Sequence, residues 1–273
     1  MVYNKLLRGK RLSIGEYLNS VLMAGIDLLF PPPALCRVCG RQLVLNTRVE
    51  MCELCLEQLP LVGENLCRLC GRPLPASAEP TLCFHCRNTR HFFVQNRAAA
   101  IYSGTLKEQI HEIKYRYNRR LAVGLGQVMA AVANARGWIP RKAHLLPVPL
   151  HPQRLQQRGY NQAELLVQGM LSCIHLPVLE PGVVVRRQVT QASTGLNAWE
   201  RRVNLKGAFY VSSPGKVVGK VLCVVDDIYT TGATLDELAR TLLKAGAKAV
   251  YGLTLSIAVS DSDLAASSGE GRS

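Results

Sequence analysis

The chain is short of acid. Against 33 Lys and Arg it carries only 19 Asp and Glu in 273 residues, a formal net charge of +14. That balance favours an anionic partner such as nucleic acid, phosphate or an acidic membrane surface, without choosing among them. Long apolar runs are also lacking: none reaches the ~18 uninterrupted residues of a membrane span. The best candidate, residues 14–30, is broken by Glu16, Asn19 and Asp27. It lacks a small-residue cleavage signature as well, so no signal peptide is expected, and a cytoplasmic location is. With 48% hydrophobic and 19% charged residues, the composition is that of a folding chain of one large or two modest domains.

Cysteine is plentiful but uneven. Eight of the ten lie in residues 36–86, as the pairs Cys36/Cys39, Cys52/Cys55, Cys67/Cys70 and Cys83/Cys86, with 12, 11 and 12 residues between pairs. The stretch 36–43 (CRVCGRQL) recurs as 67–74 (CRLCGRPL), 31 residues later. Two thiolates spaced C-x-x-C in a tight turn aim both sulfurs at one metal, and four sulfurs complete the tetrahedron of Zn²⁺. Gly40 and Gly71 suit the left-handed backbone of such turns. Disulfides in a secreted chain are the poorer alternative for an array of C-x-x-C pairs alone. About two structural zinc ions are therefore expected. Cys36, Cys39, Cys52 and Cys55 form one site, and Cys67, Cys70, Cys83 and Cys86 the other; the repeat favours this sequential pairing over an interleaved one. His85 and His91 are redundant beside eight sulfurs. Closed all-thiolate sites, about −2 each, imply folding and docking roles rather than catalysis. Cys173 and Cys223 read as small buried hydrophobes.

The positive charge concentrates in residues 87–142, where eleven Lys and Arg face only Glu108 and Glu112, giving +9. There Lys114, Tyr115, Arg116, Tyr117, Arg119 and Arg120 interleave bases with aromatics, as single-strand binders do; the alternative is a solvated face. Residues 14–29 place Leu18, Leu22, Gly25 and Leu29 on one helical stripe that ends at Pro31–Pro33. That helix packs on its own protein or, given Lys5, Arg8, Lys10 and Arg11, lies peripherally on the inner membrane. Residues 97–102 read as a strand and 105–135 as mostly helix, weakened in the middle by Gly124 and Gly126. From His144 the pattern alternates: strand 144–149, helix 161–172, strand 181–186, polar loop 190–204, strand 220–225, helix 234–244, strand 249–258. Such alternation implies an α/β fold, a parallel sheet flanked by helices. The expected organisation is a helix and Pro-rich linker in 1–35, a small Cys-rich zinc-binding domain in 36–91, the α/β domain in 92–260 and a disordered tail in 261–273.

Residues 221–234 (VLCVVDDIYTTGAT) are the most informative. An apolar run ends in two carboxylates; threonines around a glycine follow, and a helix begins. A strand-to-helix turn exposes N–H groups at the positive helix end, a ready anion site. Thr230, Thr231, Gly232, Ala233 and Thr234 suit a phosphate. Asp226 and Asp227 suit a vicinal diol, since a carboxylate accepts two hydrogen bonds. Phosphate beside a diol is a ribose 5-phosphate, at the carboxyl end of a strand, where open α/β sheets bind ligands. No Walker A loop is present.

Residues 222–234 resemble the phosphoribosyl pyrophosphate (PRPP) signature of type I phosphoribosyltransferases. Residues 147–150 (PVPL), 158–162 (RGYNQ), Lys114-Tyr115, Gln191 with Arg201 and Asn204, and the C-x-x-C array resemble one branch, the ComF/GntX competence and DNA-utilisation group. The resemblance covers about residues 26–258 and implies a type I phosphoribosyltransferase-like sheet. It implies a pyrophosphate loop over 148–161, with Arg154 and Arg158 on phosphate oxygens, and a closing loop over 190–204 that brings Arg201 and Arg202. Mg²⁺ then arrives bridging PRPP oxygens, with few protein ligands. No residue is assigned as nucleophile or general base. Two functions follow. One is a PRPP-dependent phosphoribosyltransferase of nucleotide salvage or synthesis. The other is a non-catalytic single-stranded-DNA adapter for competence, which can include a helicase-like partner.

Overall fold

The computed structural model describes residues 35–43, 50–75, 82–188 and 198–259, with the backbone alone at 198, 199 and 201. The expected N-terminal helix, the tail and most of the expected 190–204 loop lie outside the described residues. Among those described, four parallel strands form one sheet in the order β1-β6-β5-β2: β1 Gln95–Ile101, β2 His144–Pro147, β5 Val221–Tyr229 and β6 Ala249–Ile257. Helices cover both faces, as a sheet buried on both sides requires. After the short helices α1 (Glu53–Glu57) and α2 (Phe84–Arg87), α3 (Gly104–Tyr115), α4 (Arg119–Ala135) and α6 (Gln162–Leu171) pack with Leu145, Cys223 and Val225 on one face. α8 (Ala233–Lys244) packs on the other through Leu235, Leu238 and Leu242, beside Leu222 and Val224.

The helix expected over 105–135 is two helices. Gly124 and Gly126 do not break it; the break falls at residues 116–118, where Tyr117 takes the left-handed φ of 58° and Asn118 caps α4 by accepting from the Leu121 N–H. The two glycines are contact points instead. A Cβ on Gly126 would lie 2.2 Å from the Leu166 carbonyl oxygen, and one on Gly169 would lie 2.0 Å from that of Val123, so α4 and α6 cross with backbones touching.

Three further differences bear on the site. The strand expected to stop before the two carboxylates continues through them, because Asp226 and Ile228 sit opposite Thr254 and Ser256 of β6. The segment expected as strand 181–186 leaves the parallel sheet: β3 (Val184–Arg186) pairs antiparallel with β4 (Phe209–Val211). Val184 joins a buried cluster with Phe209 and Leu205. Two helices arise where loop was expected, α5 (Pro152–Arg158) and α7 (Ala198–Leu205). α5 opens with Pro152 at its first turn and closes on Gly159 at φ 71°, a start and stop visible in the sequence.

The α4–α6 crossing generates a test. Gly169→Ala is expected to destabilise the fold by about 2–3 kcal/mol, the upper part of the overpacking range, because the obstruction is backbone. Denaturant unfolding of the variant checks this.

Candidate functional site

β2 and β5 are parallel neighbours, so the loops that leave them emerge at one edge of the sheet. After β5 comes a tight turn. Gly232 is left-handed at φ 80°, and a Cβ there would lie 2.4 Å from the Tyr229 hydroxyl, so only glycine fits. Gly232 stands at the N-cap of α8 and offers no side-chain cap. The first amides of the helix therefore meet the loop without a side-chain acceptor, at the positive end of the helix dipole. Thr231 adds a buried Oγ1 with no hydrogen-bond partner among the described residues. Thr230 to Thr234 line a cleft with Asp226, Val148 and Leu205. Uncapped amides beside an unsatisfied hydroxyl are the kind of donor set that suits an anion.

Beside the loop, Asp226 and Asp227 occupy consecutive strand positions, with the Asp227 N–H donating to Asp226 Oδ1 at 2.9 Å. Burial pushes Asp226 up to about 7, and the neighbouring Asp227 charge adds to the rise. Asp227 is paired: Lys114 Nζ stands 2.8 Å from its Oδ2. Burial draws Lys114 down, but the Asp227 carboxylate outweighs it and holds the ammonium above its ordinary value. Lys114, grouped by sequence with the exposed basic run, is thus turned inward onto the acidic pair.

Around this pair the structure gathers cations from separate elements. Lys114, Tyr115 and Tyr117 line a cleft of about 350 Å³ with Arg154, Gln157 and Arg158 of α5. The Tyr117 hydroxyl donates to the Gln157 carbonyl at 3.1 Å. Arg158 donates to Gln162, and Arg119 stacks over the Tyr160 ring at 5.7 Å. Arg186 of β3, not singled out by sequence, joins them: burial lowers it, Arg154 acts the same way, and Asp226 opposes both. Arg116, Arg119 and Arg120 are exposed at the rim. Arg201 lies on α7, its side chain outside the described residues, and Arg202 is drawn to Asp236 at 3.5 Å.

The eight clustered cysteines form two groups, Cys36/Cys39/Cys52/Cys55 and Cys67/Cys70/Cys83/Cys86, each with all four sulfurs within 4.8 Å of one another. The pairing is sequential. Sulfur separations of 3.5 Å (Cys39–Cys52) and 3.6 Å (Cys70–Cys83) approach the roughly 3.8 Å edge of a tetrahedron with 2.3 Å Zn–S bonds. In the second group the Cys67 thiol is pulled down by hydrogen bonds from Cys70 and Cys83, while Cys70 and Cys86 are pushed up by Cys67. Both clusters fit structural zinc.

Comparison with known proteins agrees. The double zinc ribbon domain model matches residues 25–88. DNA utilization protein YhgH of Escherichia coli (strain K12) is 34% identical over 154 residues, 55% of this chain and 66% of that protein. Competence protein F of Haemophilus influenzae is 39% identical over 107 residues, 39% of this chain and 46% of that protein. The chain belongs to the family of DNA utilization and competence F proteins. The matches span about two thirds of the first relative's length and less than half of the second's. Among solved structures, a hypoxanthine phosphoribosyltransferase from Staphylococcus aureus is similar at 13% identity, over 51% of this chain and 69% of that one. Its TM-score of 0.30 is too low to bear on fold or function.

Two outcomes follow. Metal analysis of freshly purified protein is expected to find two zinc ions per chain, with all eight clustered thiols reduced; oxidised thiols without zinc would contradict this. The second concerns Asp226. Its native pKa stands above that of the unfolded chain, so the folded state holds the extra proton at low pH and loses that stabilisation as pH rises toward about 7. Asp226→Asn should raise the melting temperature by a few degrees at pH 8 and change it little at pH 4.

Proposed function

We propose that the cleft at the β5–α8 turn binds a ribose 5-phosphate group, carried by PRPP, in a protein that serves DNA uptake or utilisation. The observation that supports this best is the buried, unpartnered Thr231 hydroxyl beside the uncapped N-terminus of α8, next to the acidic pair on β5. The 5-phosphate takes the amides and hydroxyls of Thr230 to Thr234. The ribose hydroxyls take Asp226 and, when Lys114 swings from it to an anion, Asp227. The pyrophosphate lies over Lys114, Arg154 and Arg158, joined by Arg201; Mg²⁺ arriving with PRPP would neutralise part of its charge. Displacement at the ribose C1 builds positive charge on the sugar, which suits a phosphoribosyl transfer in which the cations hold the leaving group.

A second reading draws on the cleft that Tyr115 and Tyr117 share with Lys114, Arg154 and Arg158. There a single DNA strand lies along the basic rim of Arg116, Arg119 and Arg120, with bases on the tyrosine rings. A helicase-like partner belongs to this reading.

Calorimetry with ribose 5-phosphate, and with PRPP and Mg²⁺, tests the first reading. Thr231→Val and Asp226→Asn are each expected to weaken ribose 5-phosphate binding at least tenfold, about 1.4 kcal/mol. Lys114→Met should weaken PRPP more than ribose 5-phosphate. Unchanged affinities in folded variants overturn the assignment. Fluorescence anisotropy with a labelled single strand tests the second. The log–log salt slope is expected near −0.7 per phosphate contacted and flattens when Arg116, Arg119 and Arg120 become Ala. No binding by the wild type at low salt leaves the first reading alone.

A further inference from the structure

The two thiolate clusters are not equivalent in their surroundings. All four sulfurs of the second belong to buried residues, in one hydrophobic cluster with Tyr229, Ala233 and Leu235 of the phosphate turn. The first packs on the opposite face, where Arg37 meets Gly124 of α4 and the Glu50 N–H donates to Gln127 at 2.8 Å; its Cys39 is exposed.

Polar links run from the second cluster to both sides of the phosphate turn. Arg72, only 7% exposed, follows the Gly71 turn of the knuckle. Its own carbonyl accepts from the Cys67 N–H at 2.7 Å, which fixes its backbone to the ligand turn. Its Nη2 donates to the Thr230 carbonyl at 3.2 Å. On the far side His91 sits between a ligand and the helix: Nε2 is 3.5 Å from Cys86 Sγ, and Nδ1 is 2.7 Å from Asp236 Oδ2. Asp236 lies in the first turn of α8, and its other oxygen accepts from the Phe92 N–H at 3.0 Å. The turn is held at its start through Thr230 and at its end through Asp236, in both cases by residues whose positions depend on the second cluster.

We propose that the second zinc ribbon braces the phosphate turn, so that zinc at Cys67, Cys70, Cys83 and Cys86 and ribose 5-phosphate at Thr230–Thr234 bind with positive coupling, while the first ribbon is uncoupled. The inference rests on the ribose 5-phosphate reading of that turn. Arg72, His91 and Asp236 act as positioning residues: with the knuckle closed on metal, Arg72 keeps the Thr230 carbonyl turned away from the anion and the α8 amides convergent. An open knuckle releases Arg72 and the His91 contact together, and the turn loses both tethers. Because coupling of this kind is reciprocal, bound ribose 5-phosphate must strengthen zinc retention at the second ribbon by the factor that zinc strengthens ribose 5-phosphate binding, typically about 5–150-fold.

The test measures zinc transfer from the zinc-loaded full chain to a chromogenic chelator, with and without ribose 5-phosphate, alongside calorimetry of ribose 5-phosphate. Two zinc phases are expected, and the ligand should slow one of them at least fivefold. Cys55→Ser should abolish the phase that the ligand leaves unchanged and keep ribose 5-phosphate affinity. Arg72→Ala, which leaves every thiolate in place, should retain two zinc ions, lose the slowing and bind ribose 5-phosphate at least fivefold more weakly. Arg72→Lys, which restores a donor toward Thr230, should recover part of both. If ribose 5-phosphate binds the wild type but slows neither phase, or if Arg72→Ala behaves as wild type, the coupling is overturned and the phosphate site stands. If the wild type binds no ribose 5-phosphate, the phosphate reading falls and the coupling with it.

Discussion

The Val148 N–H donates to the Val225 carbonyl at 2.9 Å, and the β2–β5 ladder ends there. Most of the candidate site follows from this pairing. Parallel strands deliver their outgoing loops to the same edge, so the chain after β2 and the chain after β5 must face each other. The first brings Arg154 and Arg158 on α5; the second brings the acidic pair and the β5–α8 turn. An antiparallel pairing at this position would put the two on opposite edges. The sheet itself needs cover on both faces, and it gets it from two differently built layers: α3, α4 and α6 on one side, α8 with the β3–β4 ribbon on the other.

The two zinc ribbons repeat in sequence but not in environment. The tandem repeat spans the sheet, so each copy meets a different layer. The first ribbon rests on α4, whose Gly124 lets Arg37 come close. The second reaches β1, where the Asn96 N–H donates to the Leu69 carbonyl at 2.7 Å and its side chain to the Cys70 carbonyl at 3.0 Å. A Cβ on Gly71 would lie 2.9 Å from the Asn96 carbonyl oxygen, so this knuckle takes glycine for space as well as for its left-handed φ of 76°. Identical ligand spacing thus supports two different mechanical roles.

What the sequence made legible was local. The Cys-x-x-Cys spacing and the repeat were enough for the two clusters and their sequential pairing, because ligand geometry is nearly independent of the rest of the fold. The apolar run before Asp226 and the Gly232 turn were enough to locate β5, α8 and the loop between them. What stayed hidden depends on tertiary placement. Lys114 belongs by sequence to a basic, aromatic run, yet it pairs inward with Asp227 while Arg116, Arg119 and Arg120 stay out. Arg186 lies on a strand whose departure from the parallel sheet no periodicity announces. Gly124 and Gly126 looked like helix breakers because propensity is local, whereas the close crossing of α4 and α6 that uses Gly126 is not. α5 is marked in the sequence by Pro152 at its start and Gly159 at its end.

In the proposed reading an anion lies beside two carboxylates, and the cations around the β5–α8 turn offset them. Asp226 and Asp227 alone would repel a phosphate. Lys114 cancels one of them at 2.8 Å, and burial lifts the other to about 7, so near neutral pH the pair carries much less negative charge than its sequence implies. Arg154, Arg158 and Arg186 then set the sign of the surrounding field, and low-dielectric walls extend its reach toward an incoming anion. The same arrangement separates two tasks. The long cations act on the charge of a ligand from a distance, while the short carboxylates, fixed in the β5 ladder opposite β6, act only on a hydroxyl that reaches them. In the proposed reading the acidic pair contributes selectivity for a sugar diol, and the cations around it contribute attraction for any polyphosphate. Of the two, only the first demands residues at fixed positions on a strand, which is why Asp226 and Asp227 sit within the sheet and the cations sit on the helices, strand end and turn around it.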